Sequence, residues 1–477
     1  MLVLKFGGTS VANANRITDV FSIVSNLHKK NKKIAVVCSA LSGVTDDLIR
    51  VSRMAASRDD DYKKVLTIIR QRHLACIREL GIAKDKELLL FIDESFDALA
   101  DLLHGVYLVK ELSTRTLDFV SGQGELLSTR IIASYFNHKK LKSIFIDARK
   151  IIVTDENFGA GVVDFKNTNL RIQSAIGKSN TVSVVTGFVS ATLSGEMTTL
   201  GRGGSDYTAA IVAAAVHAKE IQIWTDVDGV LTADPRKVKK AFPVSSMTYT
   251  EAMEMSHFGA KVIHPPTIQP ALEKNIPLYI KNTFNPSAPG TYISVNSSDG
   301  DYLIKGISSI DDVILLTLEG SGMVGVAGIS ARLFNALAQA KINVILITQG
   351  SSEHTISFAV KPADGMPAKK AIDAAFELEI KAKMIEPVYV EPNLSIIAVI
   401  GENMRHQPGI SGKLFQALGK NGISVVATAQ GSSELNISVA IKREDLNKAL
   451  NAIHQSFFLS DIKTVNVFLV GVGLIGG

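Results

Sequence analysis

Short apolar runs alternate with amphipathic stretches along the chain up to about residue 293. Four apolar runs predict buried strands, at 2–6, 34–38, 182–186 and 221–224. Three amphipathic stretches predict helices, at 45–57, 62–80 and 206–218. Asp206 is the predicted N-cap of the last helix, because its short carboxylate can accept a hydrogen bond from the first free amides. Strands that alternate with helices in this way indicate a layered α/β domain.

A proline-containing stretch interrupts this alternation at residues 282–290, with the sequence NTFNPSAPG. Proline cannot donate a backbone hydrogen bond and therefore favours loops over strands and helices. We interpret this stretch as the linker that ends the first domain, which we place at residues 1–293.

An internal repeat follows the linker. Residues 328–360 align without gaps on residues 409–441, at an offset of 81, and about half of the positions are identical. Each copy reads as strand, glycine-rich turn, helix, strand, a QGSSE turn, strand and second helix, which is the order of a ferredoxin-like α+β fold. The predicted domains are 294–390 and 391–463. A structural spacer is the simpler explanation, but the shared turn favours a shared kind of ligand.

The tail, residues 464–477, reads as a strand followed by GVGLIGG. This pattern fits the GxGxxG opening of a dinucleotide-binding unit. Because the helix and the acidic residue of such a unit do not follow in this sequence, we interpret the tail as its truncated start.

The amino-acid composition excludes several classes of protein. The 477 residues are 46% hydrophobic and 20% charged, as expected for several globular domains. The net charge of +5 is spread along the chain, so neither nucleic acid nor an anionic membrane is expected as a partner. No apolar run is long enough to span a membrane. The cysteines, Cys38 and Cys76, cannot build a disulfide framework, so the reducing cytoplasm is the expected compartment.

Two glycine-rich loops are candidates for binding phosphate. KFGGTS, residues 5–10, follows the first strand, and TLGRGGSD, residues 199–206, leads into a predicted helix. Glycines let backbone amides approach an anion closely, and a helix N-terminus favours negative charge. One such loop is more often a tight turn, but two in one domain favour a nucleotide.

Other candidates have a structural alternative of comparable weight. The polar cluster WTDVDGV at the end of a predicted strand could be a ligand site or only a turn. The sequence predicts that Glu125 starts a helix, where an acidic residue often only balances the helix dipole. His264, before a proline, favours a structural role. The sequence offers neither a Ser/His/Asp order nor an HExxH motif, whereas phosphoryl transfer needs mainly positioning and positive charge. A carboxylate acceptor, ionised at neutral pH, would need no general base.

Together the motifs resemble those of aspartate kinases of the amino acid kinase family. They occur in the family's order: KFGGTS, VVCSALSGVTDDL, GQGELLS, TTLGRGGSDYTAA, WTDVDGVLTADPR and GAKVIHP. The repeat resembles tandem ACT domains, which carry feedback regulation in that family, and the tail resembles the first strand and loop of homoserine dehydrogenase. The resemblance implies a three-layer α/β/α kinase domain followed by two ferredoxin-like ACT domains.

The resemblance also implies roles for individual residues around the substrate. Lys5 and Gly8 would contact the transferring phosphoryl group, with Asp206 orienting Lys5. Ser39 and Thr45 would lie beside the substrate.

Two further roles that the resemblance implies fit the charges of the residues concerned. Glu125 would hold the substrate ammonium and Arg202 its α-carboxylate. ATP, with Mg²⁺, would be bound by Lys5, Phe6, Gly7, Gly8, Thr225, Asp226, Leu231, Arg236, Lys261 and Val262. Leu231 departs from the family, which often has tyrosine there, so a stacking or hydrogen-bonding role at that position is in question.

The expected function is therefore phosphorylation of L-aspartate, with an amino-acid effector bound near Gln349 and Gln430 in the QGSSE turns. Threonine is favoured over lysine because the tail points to the bifunctional branch, and ACT sheet edges favour a homo-oligomer. Two alternatives stay open. A catalytically silent ACT-based sensor would not need Lys5, Glu125, Arg202 and Asp206 together. A sister kinase acting on glutamate or a carbamate is disfavoured, because such relatives usually lack tandem ACT repeats.

Overall fold

The computed structural model describes residues 1–30, 33–176, 180–260, 263–296, 302–350 and 354–459. The chain forms two compact units. The first unit comprises residues 1–231, 243–256 and 261–299. The second unit comprises residues 232–242, 257–260 and 300–477. The contiguous division predicted from sequence differs from this one, because two short segments before residue 293 belong to the second unit.

The strands of the first unit are β1 Leu2–Phe6, β2 Ile34–Cys38, β3 Ser143–Ile146, β4 Val153–Thr154, β5 Val182–Thr186, β6 Val189–Thr192, β7 Met197–Thr199, β8 Glu220–Thr225, β9 Ser246–Thr248, β10 Leu278–Asn282 and β11 Thr291–Ser294. Its helices are α1 Ala14–Lys30, α2 Val44–Ala56, α3 Tyr62–Glu79, α4 Lys86–Val109, α5 Thr114–His138, α6 Phe165–Ala175, α7 Gly204–Ala215, α8 Tyr249–His257 and α9 Pro265–Glu273. The four strands predicted from apolar runs are all present, the last extended by one residue at each end.

The main sheet of the first unit has the strand order β3-β5-β2-β1-β8-β10-β11-β9. Strands β3, β5, β2, β1, β8 and β10 are parallel, so their carboxyl ends meet at one edge of the sheet. Central β1 places Phe6 beside Cys38 on one side and Trp224 on the other. The residues that follow these strands are therefore brought together at that edge.

Three local predictions need correction. Residues 282–290 do not end the domain, because they connect β10 to β11, which pair antiparallel in the same sheet. Asp206 is not the N-cap of its helix: α7 is preceded by Gly203, at φ 72°, and Asp206 lies in its first turn. Glu125 does not start a helix, since it lies in the middle of α5. A helix-dipole role for Glu125 is therefore excluded by its position.

Helices α2, α3, α4 and α5 bury a continuous apolar core against one face of the sheet. The middle of α5 is buried on all sides, including polar residues from Ser121 to Thr129. Such a helix must find a partner for each polar side chain within the protein. Cys38 and Cys76 are both free and buried in this core.

The second unit contains strands β12 Gly306–Glu319, β13 Leu346–Gln349, β14 Thr355–Val360, β15 Tyr389–Ile400, β16 Val425–Gln430 and β17 Asn436–Lys442. Its helices are α10 Ile329–Gln339, α11 Gly365–Ala375, α12 Glu377–Lys381, α13 Ile410–Lys420 and α14 Leu446–Phe458. The sheet order is β13-β14-β12-β15-β17-β16. Helices α10 and α13 begin 81 residues apart, which confirms the register of the predicted repeat.

Two ferredoxin-like modules share the long strands β12 and β15. The first module packs α10 and α11 on β13, β14 and the C-terminal part of β12. The second module packs α13 and α14 on β16, β17 and the C-terminal part of β15. Each long strand continues into the other module, where it provides the outer strand of the four-stranded arrangement. The predicted strand at 464–470 and the GxGxxG pattern lie outside the described residues.

Residues 232–242 are built into the core of the second module. Ala233 and Val238 are buried in the same apolar cluster as α13 and α14. The Thr232 hydroxyl lies 2.9 Å from His454 Nε2, and Asn451 donates a hydrogen bond to the carbonyl of Lys237 at 2.9 Å. This segment therefore belongs to the second unit, although it follows the Thr225–Leu231 loop directly. Across the described ranges, none of the helices combines the length and apolar character needed to cross a membrane.

Candidate active site

A half-buried ion pair lies at the carboxyl edge of the main sheet. Lys5 Nζ on β1 is 2.7 Å from Asp206 Oδ1 in the first turn of α7. Their side chains are 12% and 22% exposed, so the pair is reachable from solvent but largely shielded. Asp206 therefore holds Lys5 from the first turn of α7. The family resemblance had implied this relation between the two residues.

Glu125 is a carboxylate enclosed by protein. It is 4% exposed, and Ala40 N donates a hydrogen bond to Oε1 at 3.2 Å. Oε2 is buried and has no hydrogen-bond partner among the described residues. Burial raises the pKa of Glu125 to about 8, against the opposing effects of the Ala40 amide and of Lys5. A buried acceptor in this condition suits a cationic ligand group.

The loop after β2 connects Glu125 to β1. Ser39 N donates to the carbonyl of Phe6 at 3.1 Å, and the Ser128 hydroxyl donates to the carbonyl of Ser39 at 2.8 Å. Thr45 lies in the first turn of α2, next to Val44, which packs against Gly124 of α5. Ser39 and Thr45 are both half-buried, so each retains an accessible side chain near Glu125.

The glycines after β1 allow a close backbone approach. Gly7 N donates to the carbonyl of Trp224 at 3.2 Å. A Cβ on Gly8 would lie only 3.3 Å from the carbonyl oxygen of Ala40, and one on Gly7 would lie 3.6 Å from Lys5 Nζ. The two loops after β1 and β2 are therefore packed together around the ammonium group of Lys5, as an anion site requires.

The loop after β8 supplies further polar side chains at the carboxyl edge of the sheet. Thr225 is half-buried, and its hydroxyl donates to the exposed carboxylate of Asp226 at 3.1 Å. Asp228 accepts hydrogen bonds from Asn282 at 2.8 Å and Asn285 at 3.1 Å, which fixes the loop to the end of β10. Leu231 is the last residue of this loop in the first unit. Its side chain offers only apolar contact, so the hydrogen bond possible with tyrosine is lost here.

Arg202 lies on the glycine loop between β7 and α7, and its side chain is exposed. Gly201 and Gly203 flank it, at a φ of 72° each, a left-handed conformation that favours glycine. A Cβ on Gly203 would lie 3.0 Å from Thr267 and 3.1 Å from His264, so this glycine also permits close packing. His264 thus has a packing role, as the sequence favoured.

Two polar residues around this site were not singled out from the sequence. Ser128 bridges the carbonyls of Ser39 and Glu125. Asp118, on α5, accepts hydrogen bonds from the segments that carry Gly159 and Thr199. Asp118 precedes Glu125 by seven residues, which is two helical turns. This spacing would have indicated that both residues lie on one face of a helix.

Three of the predicted nucleotide-binding residues are not among those gathered here. Arg236 belongs to the second unit, where its exposed guanidinium pairs with Asp234 at 2.7 Å. Lys261 and Val262 lie outside the described residues.

Each module of the second unit has a cavity next to its glycine-rich turn. The first is about 530 Å³ and is lined by Gln349, Ser330, Met323 and Ile356, among others. The second is about 260 Å³ and is lined by the equivalent residues, Gln430, Ser411, Met404 and Ile437, and also by His406 and Glu434. The predicted effector residues Gln349 and Gln430 therefore occupy matching positions in matching cavities.

Comparison with known proteins agrees with this architecture. The sequence profile of the amino acid kinase family matches residues 1–282, and that of the ACT domain matches residues 316–376 and 397–457. The chain belongs to the amino acid kinase family. The two ACT matches have the same offset of 81 residues as the repeat predicted from sequence.

The relatives are aspartokinases. The chain is 38% identical over 483 residues to bifunctional aspartokinase/homoserine dehydrogenase 1, chloroplastic, of Arabidopsis thaliana, covering 100% of this chain and 53% of the relative. It thus spans about half the length of that relative. Aspartokinase III of E. coli, in complex with aspartate and ADP in its R-state, superposes with a TM-score of 0.79 at 27% identity, covering 96% of this chain and 100% of that one. The same enzyme with lysine and aspartate in its T-state gives 0.75 at 28% identity, covering 96% and 99%.

Proposed function

We propose that this protein is an aspartate kinase, which transfers the γ-phosphoryl group of ATP to the side-chain carboxylate of L-aspartate and yields 4-phospho-L-aspartate and ADP. The observation that carries the proposal is Glu125, a buried carboxylate with one oxygen that lacks a hydrogen-bond partner among the described residues. A substrate ammonium would satisfy that oxygen and compensate the buried charge. The E. coli relative was solved with aspartate and ADP, which supports the same substrates.

The chain's own residues supply the positive charge that this reaction needs. Lys5, held at 2.7 Å by Asp206, would neutralise the charge on the transferring phosphoryl group. The attacking carboxylate has a pKa of about 4 and is already ionised at neutral pH, so no side chain has to remove a proton. The protein's main task is therefore to orient the two substrates, with Ser39 and Thr45 beside the aspartate.

We place the nucleotide at the sheet edge, beside the loops after β1 and β8. Gly7 and Gly8 would leave room for phosphate oxygens next to Lys5, and Thr225 with Asp226 would face the rest of ATP, together with Phe6 and Leu231. In the described ranges, no three acidic, histidine or cysteine side chains lie together as a ready-made metal cage. Mg²⁺ fits without one, because it keeps most of its contacts to phosphate oxygens and water.

Arg202 is the proposed ligand of the substrate α-carboxylate. Arg202→Ala should raise the KM for aspartate by the equivalent of roughly 2 to 3 kcal/mol if the pair is desolvated in the complex. Steady-state kinetics with each substrate varied in turn would measure this, with exposed Lys166→Ala as a matched control in the same unit. An unchanged KM for aspartate combined with weaker ATP binding would assign the loop to the nucleotide instead.

We infer further that the two ACT modules bind an amino-acid effector, threonine in preference to lysine, and that they assemble the protein into a homo-oligomer. Strands β13 and β16 are the terminal strands in the order of the six-stranded sheet, and such edge strands favour pairing with another copy. Threonine is preferred because the dehydrogenase-like tail resembles the bifunctional branch of the family, to one member of which this chain is 38% identical. The E. coli relative solved with lysine keeps lysine as the rival.

The alternative function is a sensor without catalysis, in which the first unit only transmits effector binding. The purified protein should form ADP from ATP and Mg²⁺ only when L-aspartate is added, in an assay that couples ADP to NADH oxidation. Glutamate in place of aspartate is the substrate control. Effector binding without aspartate-dependent ADP formation would favour the sensor and contradict the kinase.

A further inference from the structure

Asp118 is a buried carboxylate outside the group of residues assigned to the substrates. It lies on α5, is 3% exposed, and accepts three hydrogen bonds. Its Oδ2 accepts from Gly159 N at 2.8 Å and from Thr199 N at 2.9 Å, and its Oδ1 accepts from the Thr199 hydroxyl at 2.8 Å. Aspartate is seldom this buried unless its charge is fully hydrogen-bonded, so these contacts account for its location.

The two segments that Asp118 holds are packed against each other. Gly161 N donates to the carbonyl of Thr199 at 2.9 Å. A Cβ on Gly201 would lie 3.2 Å from the carbonyl oxygen of Gly159, so the backbones touch at that point. One carboxylate therefore fixes the loop around Gly159 and the end of β7 together, and both are anchored to α5, the helix that carries Glu125.

Arg202 follows Thr199 by three residues. Arginine has a long, flexible side chain, so the position of its guanidinium depends on where its backbone is fixed. Gly201 and Gly203 supply no stiffness of their own, because glycine has the greatest backbone freedom. Before Arg202 the backbone is fixed at two successive residues: Leu200 N donates to the carbonyl of Phe188 at 2.9 Å, and Asp118 holds Thr199 through both its amide and its hydroxyl.

We propose that Asp118 is a positioning residue that fixes the 199–203 loop so that Arg202 meets the α-carboxylate of the amino-acid substrate. The two carboxylates of α5 then act on opposite ends of the substrate. Glu125 binds the substrate ammonium directly, and Asp118 acts on the other end of the substrate through Arg202. This inference rests on the proposed aspartate kinase function.

The kinetic test compares Asp118→Ala with Asp118→Asn. The alanine variant should raise the KM for aspartate by about tenfold or more, with the KM for ATP changed less than about twofold. The asparagine variant should restore a nearly normal KM, because its carbonyl oxygen can accept from both backbone amides while its NH₂ group donates to the Thr199 hydroxyl. Asp85→Ala is the matched control, since Asp85 also ties α5 by a side-chain hydrogen bond, to Ser134 at 2.5 Å, but does not contact the 199–203 loop.

A second readout does not depend on activity. Trypsin cleaves after arginine, so the rate of cleavage after Arg202 in the folded protein reports how firmly the loop is held. Cleavage should be faster in Asp118→Ala than in the wild type, Asp118→Asn and Asp85→Ala. If Asp118→Ala does not fold, Thr199→Val removes only the hydroxyl contact and should raise the KM for aspartate without changing that for ATP.

The outcomes separate the two proposals. An unchanged KM for aspartate in Asp118→Ala, or an equal rise in both KM values that Asp85→Ala reproduces, overturns the positioning role. Absence of aspartate-dependent activity in the wild type overturns the proposed function instead. Unchanged tryptic cleavage after Arg202 in Asp118→Ala would overturn the positioning role even then.

Discussion

Lys5 concentrates the positive charge of the site in one shielded ammonium group. A charge of this kind acts most strongly where negative charge moves during the reaction. Lys5→Ala should therefore lower kcat by a factor on the order of 10² or more, while the affinity for ATP changes less. Single-turnover kinetics and nucleotide titration would measure the two effects, with exposed Lys166→Ala as the control. A normal kcat in Lys5→Ala would remove this residue from the mechanism.

Glu125 makes substrate binding dependent on pH. Burial raises its pKa to about 8 in the ligand-free protein, and only the ionised form can pair with an ammonium group. We expect kcat/KM for aspartate to rise with pH by about tenfold per unit below this pKa and then to level off. Glu125→Gln should remove this dependence and lower kcat/KM throughout. A profile that is flat from pH 6 to 8 in the wild type would contradict the assignment.

The same carboxylate should reduce stability. Its folded pKa of about 8 lies above the ordinary value of 4.5, so the native state retains a proton that the unfolded chain releases. The free energy of unfolding of the ligand-free protein should therefore fall as pH rises between these values. Glu125→Gln should consequently raise Tm at pH 8, with a smaller rise at pH 5. Adding aspartate should stabilise the wild type more than the variant.

Helix α5 is the element on which the site is built. It carries Asp118, Glu125 and Ser128, and its glycines let other elements approach it closely. A Cβ on Gly124 would lie 2.8 Å from Ala40 Cβ and 3.2 Å from Val44 Cγ1. Gly124 lowers the local helix propensity of α5, but it allows close contact with the loop whose Ala40 amide donates to Glu125.

Gly124→Ala should therefore destabilise the protein although alanine favours helices. The contact with Ala40 involves a side chain that cannot rotate away, so we expect a loss of about 1 to 3 kcal/mol and a higher KM for aspartate. Gly105 is the matched control, because it lies within α4 and an added Cβ would meet no atom within 4 Å. Gly105→Ala should stabilise by roughly 0.5 to 1 kcal/mol. Urea unfolding of both variants would decide the comparison.

Elements with a strong local signal were predictable from the sequence. The strands 2–6, 34–38 and 182–186 are short apolar runs, and such a run can be recognised without knowing what it contacts. The repeat was also predictable, because its two copies share one pattern of glycine, leucine and the QGSSE turn. The pairing of Lys5 with Asp206 was implied by the family resemblance of the two glycine-rich loops, and the structure shows it.

The remaining features depend on tertiary contacts. Residues 282–290 contain two prolines and look like a linker, but a loop between antiparallel strands has the same composition. Asp206 could cap a helix, but Lys5 competes for its carboxylate. Glu125 seemed to begin a helix because the glycines around it weaken the helical signal, whereas the structure uses those glycines for packing.

At the scale of the whole molecule, the proposed effector sites at the two cavities predict inhibition by threonine and not by lysine. An inhibitor must bind one global state more tightly than the other, with a coupling of about 1 to 3 kcal/mol. We expect threonine to inhibit the kinase and to bind in calorimetric titration, and Gln349→Ala with Gln430→Ala to weaken both effects. Glutamine side chains elsewhere on the surface, such as Gln71, provide the control. Lysine inhibition without threonine binding would reverse the choice of effector.

The second unit also limits how the chain can be divided. Residues 232–242 supply Ala233 and Val238 to the apolar core of the second module. A fragment that ends at residue 293 would leave these apolar side chains without that core, and the second module would lack them.

Because the two ACT modules share strands, only the first module is one continuous segment of the chain. Ile310 pairs with Ile396 and Val313 with Leu394, so the chain leaves the second module and returns to it at adjacent points of one antiparallel ladder. The first module, with its own cavity, is thus one uninterrupted insertion of residues 311–393, whereas the second is assembled from both sides of it. A short turn joining residues 310 and 394 could replace the insertion. Exchange of that stretch between relatives would then replace one cavity and leave the other in place, so the ligand specificities of the two modules could diverge independently.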